Sequence, residues 1–418
     1  MTVADIRIDD LAEPRLTDVQ RAALEHGERT PVELSEQAVL DAAVTEAGLD
    51  DFGPDDFRER LRLWLDEVGS DPARTGLGRL MLFRDCVRHA ANRLRIHDLL
   101  RRHPEIDDVE LGPPVVVVGL PRSGTTHLVN LLAADRRLRS MPLWESQQPV
   151  PDRNEEAGPD GTDARHRRCE QSWRAMEALL PHLPAMHPMA PDHVHEEIEL
   201  QLPDFASYEL EWVARVPRWR DHYLAHDQTP HYRYMVRVLK ILQWQRPGER
   251  WVLKSPQHLE QLGPLLAVLP DATVVVTHRD PVSVVQSAAT MMTYAARLSY
   301  RRPDPEYYIA YWTDRVRRLL AASMRDGHLV PEERRIDVFF DDFMADELAT
   351  VERIYAAAGF PLSKSARAEV TSYADDHPRG KEGRVVYDLR ADFGVKPDEV
   401  RSAFGFYHDA FPVRLEVT

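Results

Sequence analysis

The sequence predicts an α/β protein with three layers, in which helices cover both faces of a central parallel sheet. Short continuous β-branched runs, VVVV at 115–118 and ATVVVT at 272–277, are typical of strands buried on both faces of a parallel sheet. Each run leads into a turn and then into a helical pattern, and strands that alternate with helices form parallel sheets. A helical N-terminal region and a helical insertion complete the predicted architecture.

Size and charge narrow the range of partners. The chain has 418 residues, 43 % of them hydrophobic, which is enough for one large domain with an appended region. Its formal charge is 53 − 69 = −16. A protein this acidic repels nucleic acid and anionic membranes, so we expect neither as a partner. Basic residues inside a cleft can still bind a small anion.

The two cysteines and the N-terminus indicate where the chain resides. Cys86 and Cys169 offer neither a disulfide framework nor metal-ligand spacing, which favours a reducing compartment. The N-terminus MTVADIRIDDLAEPRL is acidic and lacks the apolar core of a signal peptide. No apolar run approaches the length of a membrane span. We therefore expect a soluble, cytoplasmic protein without integral membrane contact.

Residues 1–110 are predicted to be a helical region that packs on the core. Apolar residues recur at helical spacing from Val39 to Ala47 and stop at Gly48, and a second such pattern runs from Phe57 to Val68. The stretch 77–100 indicates one or two further helices. The alternative function of these helices is a dimerisation surface, which would make the protein a homodimer.

Residues 111–418 are predicted to form the α/β domain. Further strands are expected at 251–254 and 336–340, and helices at 259–269 and 282–291. Residues 151–250, rich in Pro, His, Trp and Tyr, are interpreted as a largely helical insertion over the mouth of the active site. Residues 373–396, rich in Gly, Arg and Lys, are interpreted as a loop.

The segment GLPRSGTT at 119–126 has the composition of a phosphate-binding loop. Gly119 and Gly124 are spaced as in the nucleotide-binding P-loop, so the predicted fold is P-loop-like. Thr125 and Thr126 begin the next helix, whose N-terminal amides and dipole favour an anion. The cation of this loop is Arg122, within the loop itself.

A P-loop kinase or another nucleotide-binding protein is the main alternative. Thr125 stands where such enzymes have a lysine. They also hold Mg²⁺ with an acidic residue at the end of a second strand, whereas the strand 272–277 is followed by His278 and Arg279. A cation at that position suits a second phosphate, and Ser287 on the following helix is placed to share it.

The motifs together resemble the sulfotransferase superfamily that uses 3'-phosphoadenosine-5'-phosphosulfate (PAPS). GLPRSGTT (119–126), LKSP (253–256) and THRDPVSVVQS (277–287) carry the resemblance, which extends over residues 35–410. The sequence is most similar to a bacterial branch with a long helical N-terminal region. The resemblance implies transfer of the sulfuryl group of PAPS to a hydroxyl acceptor, with PAP (3'-phosphoadenosine-5'-phosphate) as product.

The same resemblance implies the cofactor-binding residues. The first loop would hold the 5'-phosphosulfate, through Arg122, Ser123, Gly124, Thr125 and Thr126. Arg279 and Ser287 would hold the 3'-phosphate. A late basic loop usually closes over that phosphate, and 379–384 resembles it, with Arg379, Gly380 and Lys381 as its candidate ligands.

Sulfuryl transfer needs in-line geometry and charge stabilisation, so we expect cations in place of a metal. Arg122 and Lys254 are the candidates for the leaving phosphate, and no metal is expected. The acceptor hydroxyl needs a general base. Glu145 is the first candidate, and His258 and the cluster HVHEE at 193–197 are its rivals.

The acceptor is predicted to be a small hydroxylated molecule. Aromatic residues of the insertion suggest an apolar, aromatic pocket: Trp173, Tyr208, Trp212, Trp219, Tyr223 and Tyr232. A non-catalytic protein that binds a nucleotide or PAP on the same fold is a further alternative, and it would be favoured if Glu145, His258 and Lys254 did not converge.

Overall fold

The computed structural model describes residues 4–153, 155–378, 381 and 383–418. Within these residues, five strands form one parallel sheet in the order β3-β4-β2-β5-β6, and β1 and β7 pair separately, also in parallel. The strands are β1 (Asp5–Arg7), β2 (Val115–Gly119), β3 (Leu138–Arg139), β4 (Arg250–Lys254), β5 (Thr273–His278), β6 (Arg335–Phe339) and β7 (Arg384–Val386).

The centre of the sheet carries the predicted strands. β2 lies between β4 and β5, with Val117 opposite both Lys254 and Val275. Every residue of β2 and β5 is buried, as expected for strands covered on both faces. The sequence did not indicate β1, β3 or β7, which have only two or three residues each.

Helices make up most of the remaining described chain. They are α1 (Asp18–Arg29), α2 (Glu36–Ala47), α3 (Phe57–Gly69), α4 (Gly76–Arg102), α5 (Thr125–Ala133), α6 (Leu143–Gln147), α7 (Ala164–Leu179), α8 (Leu183–Met186), α9 (Leu210–Val213), α10 (Pro217–Ala225), α11 (Thr229–Gln245), α12 (Leu262–Val268), α13 (Pro281–Ser299), α14 (Pro305–Asp326), α15 (Phe340–Ala345), α16 (Glu347–Ala357), α17 (Lys364–Asp376), α18 (Leu389–Phe393), α19 (Pro397–Arg401) and α20 (Gly405–Ala410). Short 3₁₀ turns include Glu197–Asp204 and Pro256–Glu260.

The helices form two layers about the sheet. Alternate residues of β2 belong to different hydrophobic clusters, because side chains of a strand point alternately to opposite faces. Val116 and Val118 pack with residues of α11, α13 and α14. Val115 and Val117 pack with residues of α5, α16 and α17. The protein therefore has the predicted three-layer α/β/α architecture.

The N-terminal helices share a hydrophobic cluster with part of the predicted insertion. α2 ends where the sequence indicates, because Gly48 adopts the left-handed conformation (φ 63°) that suits glycine after a helix. Residues 76–102 form the single helix α4. Core residues of α2, α3 and α4 pack with Leu202, Phe205 and Trp219.

The loop expected at 373–396 is only partly a loop. α17 continues to Asp376, and α18 lies at Leu389–Phe393. Arg384–Val386 forms β7, which pairs with β1 and is reinforced by the Arg384–Asp5 ion pair. That pairing joins residues about 380 positions apart, so no local sequence pattern could indicate it. None of the described helices is long and apolar enough to cross a lipid bilayer.

Candidate active site

The first phosphate loop turns sharply between β2 and α5. Arg122 has φ 65° and Gly124 φ 87°, both in the left-handed region. That conformation is costly for arginine, and strain of this kind is concentrated at functional sites. A side chain at Gly119 would collide with Thr277 Oγ1, 1.9 Å from an ideal Cβ, so the loop can approach β5 this closely only with glycine at position 119.

Hydrogen bonds tie this loop to the neighbouring strand and helix. Ser123 Oγ donates to the Leu120 carbonyl (2.6 Å) and lies 2.8 Å from Thr277 Oγ1 on β5. Arg122 Nε donates to Ser287 Oγ on α13 (3.1 Å). The first-turn amides of α5 have no intrahelical acceptor and are available to an anion. The sequence-predicted first and second phosphate sites are therefore adjacent.

The second site gathers around Arg279, immediately after β5. Arg279 Nη1 donates to the Arg122 carbonyl (2.5 Å), and its guanidinium lies 4.0 Å from the centre of the Phe340 ring. Its Nε and Nη2 donate to the carboxylate of Glu416 in the C-terminal segment. Ser287 Oγ lies 2.9 Å from the Tyr387 hydroxyl. Tyr387 and Glu416 were not indicated by the sequence, since both lie at least 100 positions from their partners.

Of the late basic loop at 379–384, the structure describes Lys381, Gly383 and Arg384. Arg379 and Gly380 lie outside the described residues. Lys381 is exposed, and its Nζ donates to the Asp376 carbonyl at the end of α17 (3.3 Å). The role of this loop in closing over a phosphate stays a prediction.

Lys254 ends β4 and reaches the start of α5. Its Nζ donates to Thr126 Oγ1 (3.2 Å) and to Glu196 Oε1 (2.5 Å). The Lys254 side chain is 2 % exposed and that of Glu196 is 14 % exposed. Lys254 therefore lies at the first phosphate loop, as the sequence predicts, and its carboxylate partner is Glu196.

A cavity of about 310 Å³ opens beside these residues. Arg122, Thr125, Thr126 and Glu196 line one end of it. The other walls are mainly apolar, with methionines and aromatic rings: Met81, Met176, Met189, Trp212, Met291, Met292, Tyr300 and Tyr308. A concave, mainly apolar space next to the predicted phosphate loop suits a small organic ligand.

The aromatic residues expected to form this pocket mostly belong to the hydrophobic core. Tyr208, Trp219, Tyr223 and Tyr232 are at most 3 % exposed, and none of them lines the cavity. Of the sequence-predicted set, Trp212 is a wall residue. Two further aromatic wall residues are Tyr300, which directly follows α13, and Tyr308, which belongs to α14.

The structure gives Glu145 a different position from the one expected of a base. Glu145 is 3 % exposed and does not line the cavity. Its carboxylate accepts from Arg246 (3.0 and 3.1 Å) and lies 2.8 Å from Arg139 Nη2. Burial lowers the pKa of Arg139 to about 10, so this guanidinium needs its anion. The geometry assigns Glu145 to a buried ion pair and does not support a role as base.

His258 is likewise removed from the cavity. It is fully buried, with Nε2 2.5 Å from Glu197 Oε1 and Nδ1 2.7 Å from the Tyr232 hydroxyl. Both ring nitrogens have protein partners, and His258 is not a wall residue of the cavity. Glu145, His258 and Lys254 do not converge, which by itself is the arrangement expected of the non-catalytic alternative, but Lys254 does meet another carboxylate. The carboxylate that does meet Lys254 is Glu196, from the HVHEE cluster that the sequence offered as a rival.

A histidine and two glutamates near Glu196 could hold a cation. The ligand atoms of His195, Glu199 and Glu209 lie within 4.8 Å of one another. His195 Nε2 lies 2.8 Å from Glu199 Oε1, and Ser146 Oγ donates to Glu199 Oε2 (3.2 Å). Burial and the nearby Glu199 carboxylate raise the pKa of Glu209 well above its ordinary value. The expectation of a metal-free site therefore needs a direct test.

Comparisons with known proteins agree with the motifs. The sequence profile of the sulfotransferase family matches residues 113–364. The crystal structure of sulfotransferase STF9 from Mycobacterium avium is 26 % identical, with a TM-score of 0.82 over 92 % of this chain and 99 % of that chain. Sulfotransferase STF1 from Mycobacterium tuberculosis is 29 % identical, with a TM-score of 0.78 over 89 % and 98 %. No curated protein sequence matches the chain.

Proposed function

The chain belongs to the sulfotransferase family, and from this premise we propose that it transfers the sulfuryl group of PAPS to a hydroxyl group of a small-molecule acceptor and releases PAP. The observation that carries the proposal is the contact of Lys254 with Thr126 and Glu196, two residues that line an apolar cavity beside the first phosphate loop. A cation, an anion-binding helix start and a carboxylate are the groups that this reaction needs.

The donor fits the two neighbouring anion sites. The loop amides with Arg122 and Thr126 would hold the 5'-phosphosulfate, and Arg279 with Ser287 would hold the 3'-phosphate. The contact between Arg122 Nε and Ser287 Oγ (3.1 Å) supports this arrangement, because it joins one residue of each proposed site. Lysine carries three N–H donors, so Lys254 can bond Thr126 and Glu196 and still donate to the leaving oxygen.

In the proposed reaction, the Glu196 carboxylate takes the proton of the acceptor hydroxyl. The acceptor oxygen forms a bond to sulfur as the bond between sulfur and the 5'-phosphate oxygen breaks. The electron pair of that bond stays on the leaving oxygen, where Lys254 and Arg122 stabilise the developing charge.

We assign the acceptor-binding side of the cavity to helices of the N-terminal region and of the insertion. Gly78, Met81 and Asp85 of α4, Met176 of α7 and Trp212 of α9 line the cavity. This lining supports the division into a helical region 1–110, an α/β domain 111–418 and an acceptor-side insertion 151–250. Two buried free thiols, Cys86 and Cys169, fit a reducing compartment, so the cytoplasm stays our proposed location. The mycobacterial relatives support a bacterial source.

The proposal is tested with labelled PAPS and a panel of phenols and aliphatic alcohols, with PAP release and label transfer measured together. Thermal unfolding with PAP and with ATP plus Mg²⁺ tests the donor without an acceptor. A ligand at about 100 times its dissociation constant stabilises by roughly 2.7 kcal/mol. We expect PAP to stabilise the chain far more than ATP does, because ATP lacks the 3'-phosphate. Equal stabilisation would favour the kinase or nucleotide-binding alternative.

A further inference from the structure

Two consecutive glutamates hold Lys254 from opposite ends. Glu196 Oε1 accepts from the side-chain Nζ (2.5 Å), whereas Glu197 Oε2 accepts from the backbone N–H (2.8 Å). The Glu197 side chain is fully buried, and that of Lys254 is 2 % exposed. The backbone contact lies in the sheet layer and the side-chain contact lies at the cavity.

The edge of the sheet explains the need for Glu197. β3 pairs with β4 only at Arg250 and Trp251. Backbone N–H groups of consecutive strand residues point to opposite sides, and the next one, of Ser255, donates to Val117 of β2 (3.2 Å). The N–H of Lys254 therefore points away from β2, to the side of β4 on which β3 lies, but at a position beyond the residues that pair with β3. Glu197 supplies the acceptor that a strand would otherwise provide, since a buried N–H requires a partner.

The second oxygen of the buried Glu197 carboxylate has His258 as its hydrogen-bond partner. Glu197 Oε1 lies 2.5 Å from His258 Nε2, and His258 Nδ1 lies 2.7 Å from the Tyr232 hydroxyl. Gln257 Nε2 also donates to that hydroxyl (3.2 Å). Each oxygen of Glu197 thus has a defined partner. Such a saturated network holds its members in one geometry more firmly than a single hydrogen bond does.

We propose that Glu197, backed by His258, is a positioning residue that fixes the backbone of Lys254 so that its ammonium group lies at the first phosphate loop. This inference rests on the proposed function, in which Lys254 stabilises the leaving phosphate. Glu197 itself touches neither substrate. Its effect on the reaction passes through Lys254.

The test measures PAP affinity by calorimetry, because PAP binding needs no acceptor. Glu197→Ala and Lys254→Ala should each weaken PAP binding about 10-fold or more, the scale of one charge-assisted hydrogen bond. The double variant should bind PAP no more weakly than Lys254→Ala alone, since Glu197 acts through Lys254. Glu197→Gln should stay within about 3-fold of wild type, because its amide still accepts from the Lys254 N–H.

The matched control is Glu67→Ala. Glu67 is a buried carboxylate that accepts from the backbone N–H groups of Arg218 and Trp219 (2.9 and 2.7 Å), far from the phosphate loop in the sequence. Its loss should lower the melting temperature and leave PAP affinity unchanged. Additive losses in the double variant, or equal PAP losses in Glu67→Ala and Glu197→Ala, would overturn the inference.

Hydrogen exchange separates this inference from the proposed function. Mass spectrometry of the full chain should show faster amide exchange in peptide 251–258 of Glu197→Ala than of wild type, and unchanged exchange in peptide 115–119. Unchanged exchange at 251–258 would show that Glu197 does not fix Lys254. Wild-type protein that fails to bind PAP would instead defeat the proposed function, while the exchange result would still decide the role of Glu197.

Discussion

Arg279 and Glu416 form a two-bond ion pair at the C-terminal end of β5. Nε and Nη2 of Arg279 each lie 2.6 Å from a different oxygen of the Glu416 carboxylate. Asp280 Oδ2 accepts from the backbone N–H groups of Glu416 and Val417 (2.9 and 3.4 Å), so the C-terminal segment is anchored at the same point. The proposed 3'-phosphate would use the same guanidinium donors as Glu416.

Glu416→Gln should therefore tighten PAP binding. The neutral amide competes less well for Arg279 than the carboxylate does, and we expect about a 3- to 10-fold lower dissociation constant, or roughly 0.7–1.4 kcal/mol. Arg279→Ala should act in the opposite direction, by roughly 10- to 150-fold. Glu352→Gln, which removes an exposed partner of Arg367, is the charge-matched control and should change nothing. Weaker PAP binding in Glu416→Gln would show that the carboxylate assists the phosphate site.

Glu196→Gln should retain PAP affinity within about 3-fold and lower the rate of sulfuryl transfer by about 10²–10⁴-fold, the usual range for a general base. The amide keeps the shape of the side chain but cannot take the hydroxyl proton. Turnover is measured by PAP release with the best acceptor from the panel. The rate should fall less with a phenol of low pKa as acceptor than with an aliphatic alcohol, because the phenol releases its proton more easily without a base. His195→Asn tests the rival residue. If His195→Asn loses turnover while Glu196→Gln stays active, the general base is His195 and not Glu196.

Glu145→Ala should act on stability. Removal of the carboxylate leaves the buried guanidinium of Arg139 with its charge uncompensated, and breaking a buried pair of this kind costs about 3–5 kcal/mol. The free energy of unfolding is measured in urea. The exposed i,i+4 pair of Glu170 and Arg174 gives the control, since Glu170→Gln should stay within about 0.5 kcal/mol of wild type. A Glu145 variant that unfolds like wild type but cannot transfer the sulfuryl group would restore Glu145 as a catalytic candidate.

Stability in acid should depend on Asp337. Burial acts to raise the pKa of this carboxyl, but hydrogen bonds from His278 and Arg335 outweigh burial and hold the pKa at about 2, below its ordinary 3.8. Because the folded pKa is the lower one, the stabilising contribution is complete above about pH 4 and is lost as the pH falls towards 2. Asp337→Asn should lower the urea midpoint at pH 7, and its difference from wild type should shrink below pH 3. A constant difference across this range would exclude the mechanism.

Turnover should not depend on a metal ion. Lys254, Arg122 and the start of α5 supply the positive charge that a metal would bring. The rate of PAP release in excess EDTA should equal the untreated rate. The opposite result would point to His195, Glu199 and Glu209 as metal ligands. In that case EDTA would abolish activity, added metal would restore it, and the Glu209→Gln variant would be inactive even with added metal.

The sequence by itself determined the parts of the site that are local in the chain. GLPRSGTT runs from the last residue of β2 into the start of α5, and Arg279 directly follows β5, so a buried strand, a turn and a helix start identify each of them. Parallel strands then place their C-terminal ends at one edge, which is why Arg122, Lys254 and Arg279 lie near one another, with Ser287 on the helix that follows β5. Their roles in binding stay predictions.

Only the tertiary structure decided which carboxylate meets Lys254 and which groups are buried away from the cavity. Glu196 and Lys254 are 58 positions apart, and Arg279 and Glu416 are 137 apart. Glu145 and His258 occur at plausible places in the sequence, but packing encloses them with Arg139 and with Glu197. A residue's access to substrate depends on which distant segments cover it. Those segments are brought there by the packing of the whole domain, so no local sequence pattern predicts the access of a single residue.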